Sequence, residues 1–345
     1  MAYIQVEDLR ARKLAQIVVP QMWSYKFEPG SVVVDSADSP VVFGEARLRS
    51  NPNFYVEFKL WSNKEPAAER HAAMSQLFTN AGAGPRELQR TVMSESTFVV
   101  LEPIGARTLS DLIAEFRKPP MEPHLPLFIA LPLMVDMLDK LESMERFTLV
   151  HADLNPRNIY LLDGDTRTVF TNFDCACTLR GDASTSCALM SDSLVGSAFM
   201  HPPEMWDGRP SNPVNNVWQV GLIFANMLLG GPTLPTERFI LQVERKLRPE
   251  SEQGKDRIRW LIREGFDIWR DPSFLRLTGG YGDVADAVAW MLERDPTRRP
   301  KPAQVRAQLE RVARARGIPL IGRQQVRPTL SIPRRAGGVT PPNRA

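Results

Sequence analysis

A short polar segment, from His151 to Asn158, contains side chains that could do acid–base or metal chemistry. That segment contains the carboxylate of Asp153, and a second polar cluster, Asn172-Phe173-Asp174, begins fourteen residues after Asn158. Carboxylate and amide oxygens bind hard cations such as Mg²⁺, and a carboxylate can also act as a general base. The same side chains can equally cap their own loops through local hydrogen bonds. The residue types alone therefore leave a catalytic and a structural role open.

Both clusters lie in an ordered series of motifs that resembles protein kinases. The run Val150–Asn158 resembles the catalytic loop H-R-D-L-K-P-x-N, and Asn172-Phe173-Asp174 stands where kinases carry D-F-G. The further matches, in kinase order, are Phe54–Lys59 for the strand V-A-I-K, Val99–Glu102 for the hinge, Gly196–Glu204 for the end of the activation segment, Asn216–Gly221 for the central helix, and Asp295–Pro300 for the late D-P-x-x-R-P. The resemblance covers about residues 30 to 316. It implies a bilobal, α+β protein kinase-like fold with a β-rich N-lobe and a helical C-lobe. It also implies a buried ion pair between Glu204 and Arg299 that anchors the activation segment.

Two positions that bind phosphate or metal in kinases have changed. The turn Val34–Pro40, where kinases have a glycine-rich loop, contains no Gly, and its residues Asp35 and Asp38 would repel a triphosphate. Asn172 replaces the metal-binding Asp of D-F-G, and a neutral amide is a poorer ligand than a carboxylate for a hard cation. Magnesium binding is therefore expected to be lost or severely weakened.

Three further replacements remove charge around the catalytic loop. Asn155 stands in place of the Lys that neutralises the transferring phosphoryl group, and Ala152 stands in place of the Arg of H-R-D. Asn216 replaces the acidic residue with which the central helix holds the catalytic loop in shape. Because that Arg and that acid are missing together, we expect the support of the loop to be lost and catalysis to have been abandoned.

Some kinase positions are retained. Lys59, Asp153 and Asn158 match the motifs, and Glu69 is the candidate partner of Lys59 on the following helix. A Lys–Glu pair can serve as a structural strut, and the polar residues of the loop can cap it, so retention does not require catalysis. We therefore interpret these motif positions as vestigial: Lys59, Glu69, Asp153, Asn155, Asn158 and Asn172.

Two alternatives keep a function in the cleft. Asp174 lies two residues beyond the substituted metal position, so it would face the same side of a continued strand at ~6.5 Å, and a β-bulge could correct its placement. An atypical active kinase would then hold its metal with Asp153, Asn158 and Asp174, and Lys59 would contact phosphate. A metal-free nucleotide or ligand sensor would instead use the hinge backbone around Glu102 and Ile104 to meet an adenine.

Strand patterns precede helix patterns along the chain, which favours an α+β fold with a hinge near Glu102–Gly105. Apolar residues at helical spacing predict a first helix from Ile4 to about Ile17. The predicted strands are Ser31–Asp35, Val41–Leu48, Phe54–Trp61 and Thr97–Glu102. The other predicted helices are Glu65–Leu77, Leu109–Phe116, Leu127–Phe147, Val214–Leu229, Leu234–Lys246, Lys255–Gly265, Asp283–Glu293 and Pro302–Arg316. We divide the chain into a helical extension (1–29), an N-lobe (30–104), a C-lobe (105–316) and a basic, proline-rich tail (317–345).

The composition, with 43% hydrophobic and 24% charged residues, is that of a globular protein. The formal net charge is +3, but the tail carries five arginines and no acid, so the folded body has no electrostatic footprint for nucleic acid. No run of about 18 apolar residues is present, so no membrane span is expected. The cysteines Cys175, Cys177 and Cys187 have no CxxC spacing and no neighbouring His, which disfavours a zinc site and leaves free thiols or one local disulfide of open pairing.

A kinase-like sequence without the glycine loop also resembles the with-no-Gly-loop branch of the rhoptry-type kinases of apicomplexan parasites, including its inactive members. Active members of that branch keep the metal-binding Asp, from which Asn172 departs. The resemblance implies a secreted protein of the parasitophorous vacuole or cyst wall, although Met1–Gln16 shows no signal peptide. We therefore predict a pseudokinase scaffold or regulator that binds protein partners, has no cofactor or metal, and binds neither ATP–Mg nor nucleic acid.

Overall fold

The computed structural model describes residues 4–5, 25–27, 33–34, 41–48, 50–62, 66–92, 96–104, 107–116, 125–162, 167–180, 186–187, 200–206, 209, 211–229 and 272–320. Within them the order of elements confirms the predicted α+β arrangement, in which strands precede helices. The predicted helices at 234–246 and 255–265 and the tail from residue 321 lie outside the described residues.

One antiparallel sheet dominates the first third of the chain. Its strands are β1 Ile4–Gln5, β2 Tyr25–Phe27, β3 Val33–Val34, β4 Val41–Leu48, β5 Asn51–Ser62, β6 Glu87–Val92 and β7 Ser96–Leu101. They are arranged in the order β1-β3-β4-β5-β7-β6, and β2 pairs with β4. The longest ladder joins β4 and β5, where Gly44 lies opposite Phe58; a Cβ on Gly44 would come within 2.3 Å of the Phe58 ring. Gly44 therefore serves the packing of this pair of strands.

Two features of the sheet differ from the sequence-based predictions. The predicted helix from Ile4 is wrong at its start, because Ile4 and Gln5 pair as a strand with Val34 and Val33. Pairing with a neighbouring strand overrides the local helical spacing there. The strand β6 was not predicted, because its sequence is mostly polar and its side chains lie half-exposed at the edge of the sheet.

Helices and two small two-stranded sheets make up most of the rest of the described structure. The helices are α1 Pro66–Asn80, α2 Leu109–Phe116, α3 Leu127–Arg146, α4 Pro203–Trp206, α5 Pro213–Leu229, α6 Pro272–Met291 and α7 Pro302–Ala315. The short strands are β8 Leu149–Val150, β9 Ile159–Leu162, β10 Arg167–Phe170 and β11 Cys177–Thr178, of which β9 pairs with β10 and β8 with β11. The helix predicted at Asp283–Glu293 begins earlier, at Pro272, and is interrupted at Tyr281, whose φ of −140° is not helical.

A single large hydrophobic cluster joins these helices and extends into the first part of the chain. It contains residues of α1, α2, α3, α5, α6 and α7 together with β9 and β10. Phe78 of α1 stacks on Phe173 with ring centroids 4.3 Å apart. Because Phe173 belongs to the cluster that resembles D-F-G, this contact fixes that cluster against α1. None of the helices in the described part of the chain combines the length and hydropathy needed to cross a membrane.

One disulfide lies close to the catalytic-type loop. Cys177 of β11 is bonded to Cys187, and Cys175 is free and half-buried. The pairing that the sequence left open is thereby resolved. Because β11 pairs with β8, the bond fixes the segment around Cys187 to the strand that leads into His151.

The ion pair expected between Glu204 and Arg299 is confirmed. Arg299 donates from Nη1 and Nη2 to the two carboxylate oxygens of Glu204, at 2.7 and 3.0 Å, and both side chains are buried. Asn215 donates a further hydrogen bond to Glu204, and the guanidinium lies 5.2 Å from the ring centroid of Trp218. Arg299 also donates to the carbonyl of Glu293. The pair therefore joins α4, α5 and the segment before α7.

Replacing Arg299 by Ala should destabilise the protein by about 3–5 kcal/mol, because it leaves the Glu204 carboxylate buried without its charge partner. The neighbouring Arg298, whose side chain is 71% exposed, provides the matched control. Its replacement by Ala should change the free energy of unfolding by less than about 0.5 kcal/mol. Urea unfolding of the two variants measures the difference, and equal effects would contradict the role given to Arg299.

Candidate functional site

The hairpin β9–β10 brings the two polar clusters of the sequence together. A 3₁₀ turn, Pro156–Asn158, leads from the catalytic-type loop into β9, and Ile159 pairs with Phe170 at the end of the hairpin. The backbone N–H of Thr171 then donates to the carbonyl of Asn158 at 3.0 Å. Residues 151–158 and 171–174 therefore line one site, as the motif spacing indicated.

The central helix α5 holds the loop with two buried amides. Asn216 accepts from the N–H of His151 at 3.0 Å and donates to the carbonyl of Leu149 at 2.9 Å. Gln219 accepts from the N–H of Leu154 and donates to the carbonyl of Ala152, at 3.3 and 3.1 Å. The expectation that the support of the loop is lost is therefore wrong. An amide offers both a donor and an acceptor, so Asn216 keeps the hydrogen bonds of the support without its charge.

Two residues of the site have left-handed backbone conformations. Ala152 and Asn172 both have φ of 62°. Asn tolerates this region, whereas an Ala in it costs roughly 1–2 kcal/mol. The hydrogen bond from Gln219 to the carbonyl of Ala152 helps to hold that strained position.

The carboxylate of Asp153 is bound by neighbouring amides. Asn155 donates to Oδ1 at 3.2 Å and Asn158 donates to Oδ2 at 3.0 Å. Both amides also donate to the backbone carbonyl of Asp153, at 3.1 and 2.8 Å. The Oδ1 of Asn155 accepts from the N–H of Arg157 and so caps the 3₁₀ turn. The contacts of Asn155 and Asn158 are therefore those of loop-capping residues.

The position of the D-F-G carboxylate does not fit a magnesium ion. Asn172 directs its amide nitrogen at Oδ1 of Asn158, in a long hydrogen bond of 3.4 Å. A Mg²⁺ site requires oxygen ligands and usually carboxylates, whereas the nitrogen of Asn172 is a donor. The nearest carboxylate of the loop, Asp153, already accepts from Asn155 and Asn158. We therefore derive no catalytic step through a metal at this position.

Asp174 lies in a turn beyond the hairpin and contacts helix α1. The strand β10 ends at Phe170 and residues 174–175 form a turn, so the condition for that alternative, a continued strand, is not met. Oδ1 of Asp174 accepts instead from Nδ1 of His71 at 2.8 Å. This hydrogen bond, opposed by burial and aided by the charges of His71 and Lys59, holds the pKa of Asp174 below its ordinary value.

Helix α1 makes two adjacent contacts to this turn. His71 bonds to Asp174, and Arg70 donates to the carbonyl of Ala176. The other ring nitrogen of His71, Nε2, lies 3.4 Å from Nζ of Lys59. The chain Lys59–His71–Asp174 therefore links β5, α1 and the turn. The side chain of Glu69, the predicted partner of Lys59, lies outside the described residues, so that pairing remains a prediction.

The hinge residues Glu102 and Ile104 form hydrogen bonds with the neighbouring residues Arg86 and Glu57. The N–H of Glu102 donates to the carbonyl of Arg86, and the carboxylate of Glu102 accepts from the N–H of Arg86. The N–H of Ile104 donates to Oε1 of Glu57 at 2.8 Å. Sequence reasoning missed Glu57 and His71, although one signal was available: Glu57 stands where the motif V-A-I-K has its small Ala.

His151 is a buried structural residue. Its ring lies among Phe78, Phe170 and Phe173, and Nε2 donates to the carbonyl of Thr171 at 2.9 Å. Burial lowers the pKa of His151 to about 4, with the charge of Asp153 and the bond to Thr171 opposing the shift. Burial likewise lowers the pKa of His201 to about 4.

Because His151 and His201 have lowered pKa values, we predict that the free energy of unfolding falls as the pH is lowered. In the unfolded chain they take up a proton near pH 6.5, whereas in the folded protein they stay neutral down to about pH 4. Their contribution to stability is therefore complete above pH 6.5 and is lost between pH 6.5 and about 4, at roughly 1.4 kcal/mol per pH unit for each imidazole. In the His151→Phe variant the free energy of unfolding should depend less steeply on pH, by roughly 1.4 kcal/mol per pH unit, when urea unfolding is followed from pH 7 to 4.5. An unchanged slope would show that His151 is not buried in its neutral form.

Comparison with known proteins agrees with this architecture. The sequence profile of the protein kinase domain matches residues 87–309, which is more than half of the chain. The match begins at β6, after the strand that carries Lys59.

Individual relatives share about a third of their matched residues with this chain. Homeodomain-interacting protein kinase 1 of Caenorhabditis elegans is 30% identical over 129 residues, which cover 35% of this chain and 14% of the relative. Mitogen-activated protein kinase 15 of Arabidopsis thaliana is 30% identical over 113 residues, covering 32% and 19%. Serine/threonine-protein kinase PknL of Mycobacterium tuberculosis is 30% identical over 134 residues, covering 39% and 31%. The chain thus spans less than a third of the length of these relatives. On the profile match and the fold, the chain belongs to the protein kinase domain family and has its bilobal α+β architecture.

Proposed function

We propose that this chain is a pseudokinase, which neither transfers phosphate nor binds ATP with magnesium and which acts as a protein-binding scaffold or regulator. The observation that carries the proposal is the amide contact between Asn172 and Asn158 at the metal position. Phosphoryl transfer depends on metal ions and positive groups that neutralise the phosphates. The neutral amide of Asn172 is a poorer ligand for a hard cation than the carboxylate that it replaces, and the position has one negative charge fewer with which to hold a metal.

The other groups of the site support the same proposal. The amides of Asn155 and Asn158 each donate a hydrogen bond to one oxygen of Asp153, the candidate catalytic base. Lys59, the candidate phosphate-binding residue, lies beside His71 in the chain of contacts to Asp174. The polar groups of the cleft are thus bonded to one another in an arrangement that stabilises the fold without a ligand.

Two alternatives are weighed against this arrangement. The named relatives are kinases, but they are matched over less than a third of their length, so their activity is not carried over to this chain. An atypical active kinase would require Asp174 as a metal ligand, and its Oδ1 is bonded to His71. A metal-free nucleotide sensor would require the N–H of Ile104, which donates to Glu57.

The branch, location and partners remain proposals. The with-no-Gly-loop resemblance rests on the absence of Gly from residues 35–40, which lie outside the described residues. The disulfide Cys177–Cys187 supports a secreted location, because disulfides persist mainly in oxidising compartments. A protein partner in such a compartment, and the domain boundaries at residues 29, 104 and 316, are proposed on the sequence alone.

The proposal predicts no phosphate transfer and no magnesium-dependent binding of ATP. The purified chain is incubated with γ-³²P-ATP, Mg²⁺ and a general protein substrate, and its melting temperature is measured with ATP in the presence and absence of Mg²⁺. Incorporation should equal that of the Asp153→Asn variant, and the melting temperature should not move. A ligand at 100 times its Kd would add about 2.7 kcal/mol of stability, which is well above detection.

Three results would contradict the proposal. Incorporation of label that is lost in Asp153→Asn would identify an active kinase. Stabilisation by ATP that requires Mg²⁺ would show that the amides at Asn172 and Asn158 still permit a metal complex. Stabilisation that is indifferent to Mg²⁺ would favour the sensor over the scaffold.

A further inference from the structure

We infer that Glu57 closes the base-binding end of the cleft from within, by occupying the hinge N–H to which a purine would bond. This inference rests on the proposed function, because it names the residue that excludes adenine compounds from a cleft proposed to bind no ATP. It does not depend on the metal position, since it rests on the contact of Glu57 with Ile104 and on no contact of Asn172.

The position of Glu57 follows from the pairing of the strands. Side chains two residues apart share a face of a strand, so Glu57 and Lys59 of β5 lie on the same face. In the ladder between β5 and β7, Glu57 is paired with Leu101 and Lys59 with Val99. The chain leaves β7 at Leu101 and enters the hinge, so the register places Glu57 beside the hinge. In the matching motif V-A-I-K this position is an Ala, whose methyl group leaves room that the longer side chain fills.

The contact itself is a charge-assisted hydrogen bond. Oε1 of Glu57 lies 2.8 Å from the nitrogen of Ile104, and Ile104 is buried. Bonds from an N–H to a carboxylate are stronger than those between neutral groups. A purine ring nitrogen that accepted from the N–H of Ile104 would therefore displace the carboxylate of Glu57, which is the stronger acceptor.

Displacing the Glu57 carboxylate from the N–H of Ile104 would also place it beside the purine that displaced it. The freed carboxylate would face the lone pair of the ring nitrogen that had replaced it, and both groups are acceptors. Glu45 lies directly opposite Glu57 in the ladder between β4 and β5, so the same face of the sheet carries a second carboxylate. Like charges directly opposite each other disfavour moving Glu57 toward Glu45. The hydrogen bond to the hinge is thus favoured over a carboxylate displaced toward Glu45.

Binding of adenosine to the Glu57→Ala variant tests the inference. Adenosine has no phosphate and needs no metal, so Asn172 does not influence the result. Isothermal titration should detect no binding of adenosine to the unaltered chain at millimolar concentration. The Glu57→Ala variant should bind it at least tenfold more tightly, because the N–H of Ile104 is then available.

Two further variants serve as controls. Glu45→Ala removes the neighbouring carboxylate but not the hydrogen bond to Ile104, and it should bind adenosine no better than the unaltered chain. Glu57→Gln keeps an acceptor on a side chain of the same length, so it should bind adenosine more weakly than Glu57→Ala. If Glu57→Ala is poorly folded, Glu57→Val, which suits a strand, replaces it.

The inference is overturned if the unaltered chain binds adenosine as tightly as Glu57→Ala, or if both folded Glu57 variants fail to bind. Amide hydrogen exchange gives an independent reading, since exchange at Ile104 should accelerate in Glu57→Ala and not in Glu45→Ala. Failure of the inference about Glu57 is distinguishable from failure of the proposed function. Phosphate transfer by the unaltered chain would overturn the proposed function directly, whereas an absence of adenosine binding by the Glu57 variants would overturn only the role of Glu57.

Discussion

The fold of the site depends on satisfying the polar groups of a buried loop. The backbone of residues 149–154 lies against α5, where water is not available to pair with its N–H and C=O groups. The side chains of Asn216 and Gln219 supply two donors and two acceptors to this loop. A buried amide provides these bonds without the desolvation cost of a buried charge. The loop therefore keeps the shape of a catalytic loop in an environment from which an acid and an arginine have been removed.

The same constraint explains the pairing within the cleft. Asp153 is bonded to Asn155 and Asn158, and Asn158 in turn accepts from Asn172. On the opposite side, α1 is joined to the turn at 174–176 by His71 and Arg70. Partly buried polar groups need hydrogen-bond partners, and these contacts provide them. These contacts therefore fix the catalytic-type loop and join α1 to the turn at 174–176.

The elements that positioned the site could largely be predicted, because they follow from motifs and local patterns. The pair Glu204–Arg299 was predicted because the two motifs that contain these residues form such an ion pair in the family that the sequence resembles. The strand β6 was missed because its mostly polar sequence carries little pattern. The strand at Ile4 and Gln5 was missed because pairing over some thirty residues overrides local helical spacing.

The contacts within the site were harder to predict, because they join elements that are distant in sequence. Asn216 was misjudged because the loss of a charge was taken as the loss of hydrogen bonds. The bonds of His71 to Asp174 and of Ile104 to Glu57 span about a hundred and about fifty residues, so no local pattern announces them. Only the replacement of a small Ala by Glu57 could have indicated that the hinge is occupied.

The central claim, that the cleft binds no metal–nucleotide complex, is tested most directly with Mn²⁺, which accepts the same oxygen ligands as Mg²⁺ and has an electron paramagnetic resonance spectrum. The spectrum of Mn²⁺ with ATP is recorded while the unaltered chain is titrated into the sample. The account predicts a spectrum that stays that of Mn²⁺–ATP in buffer at every protein concentration. A saturable change in the spectrum that disappears in the Asp153→Ala variant would contradict it.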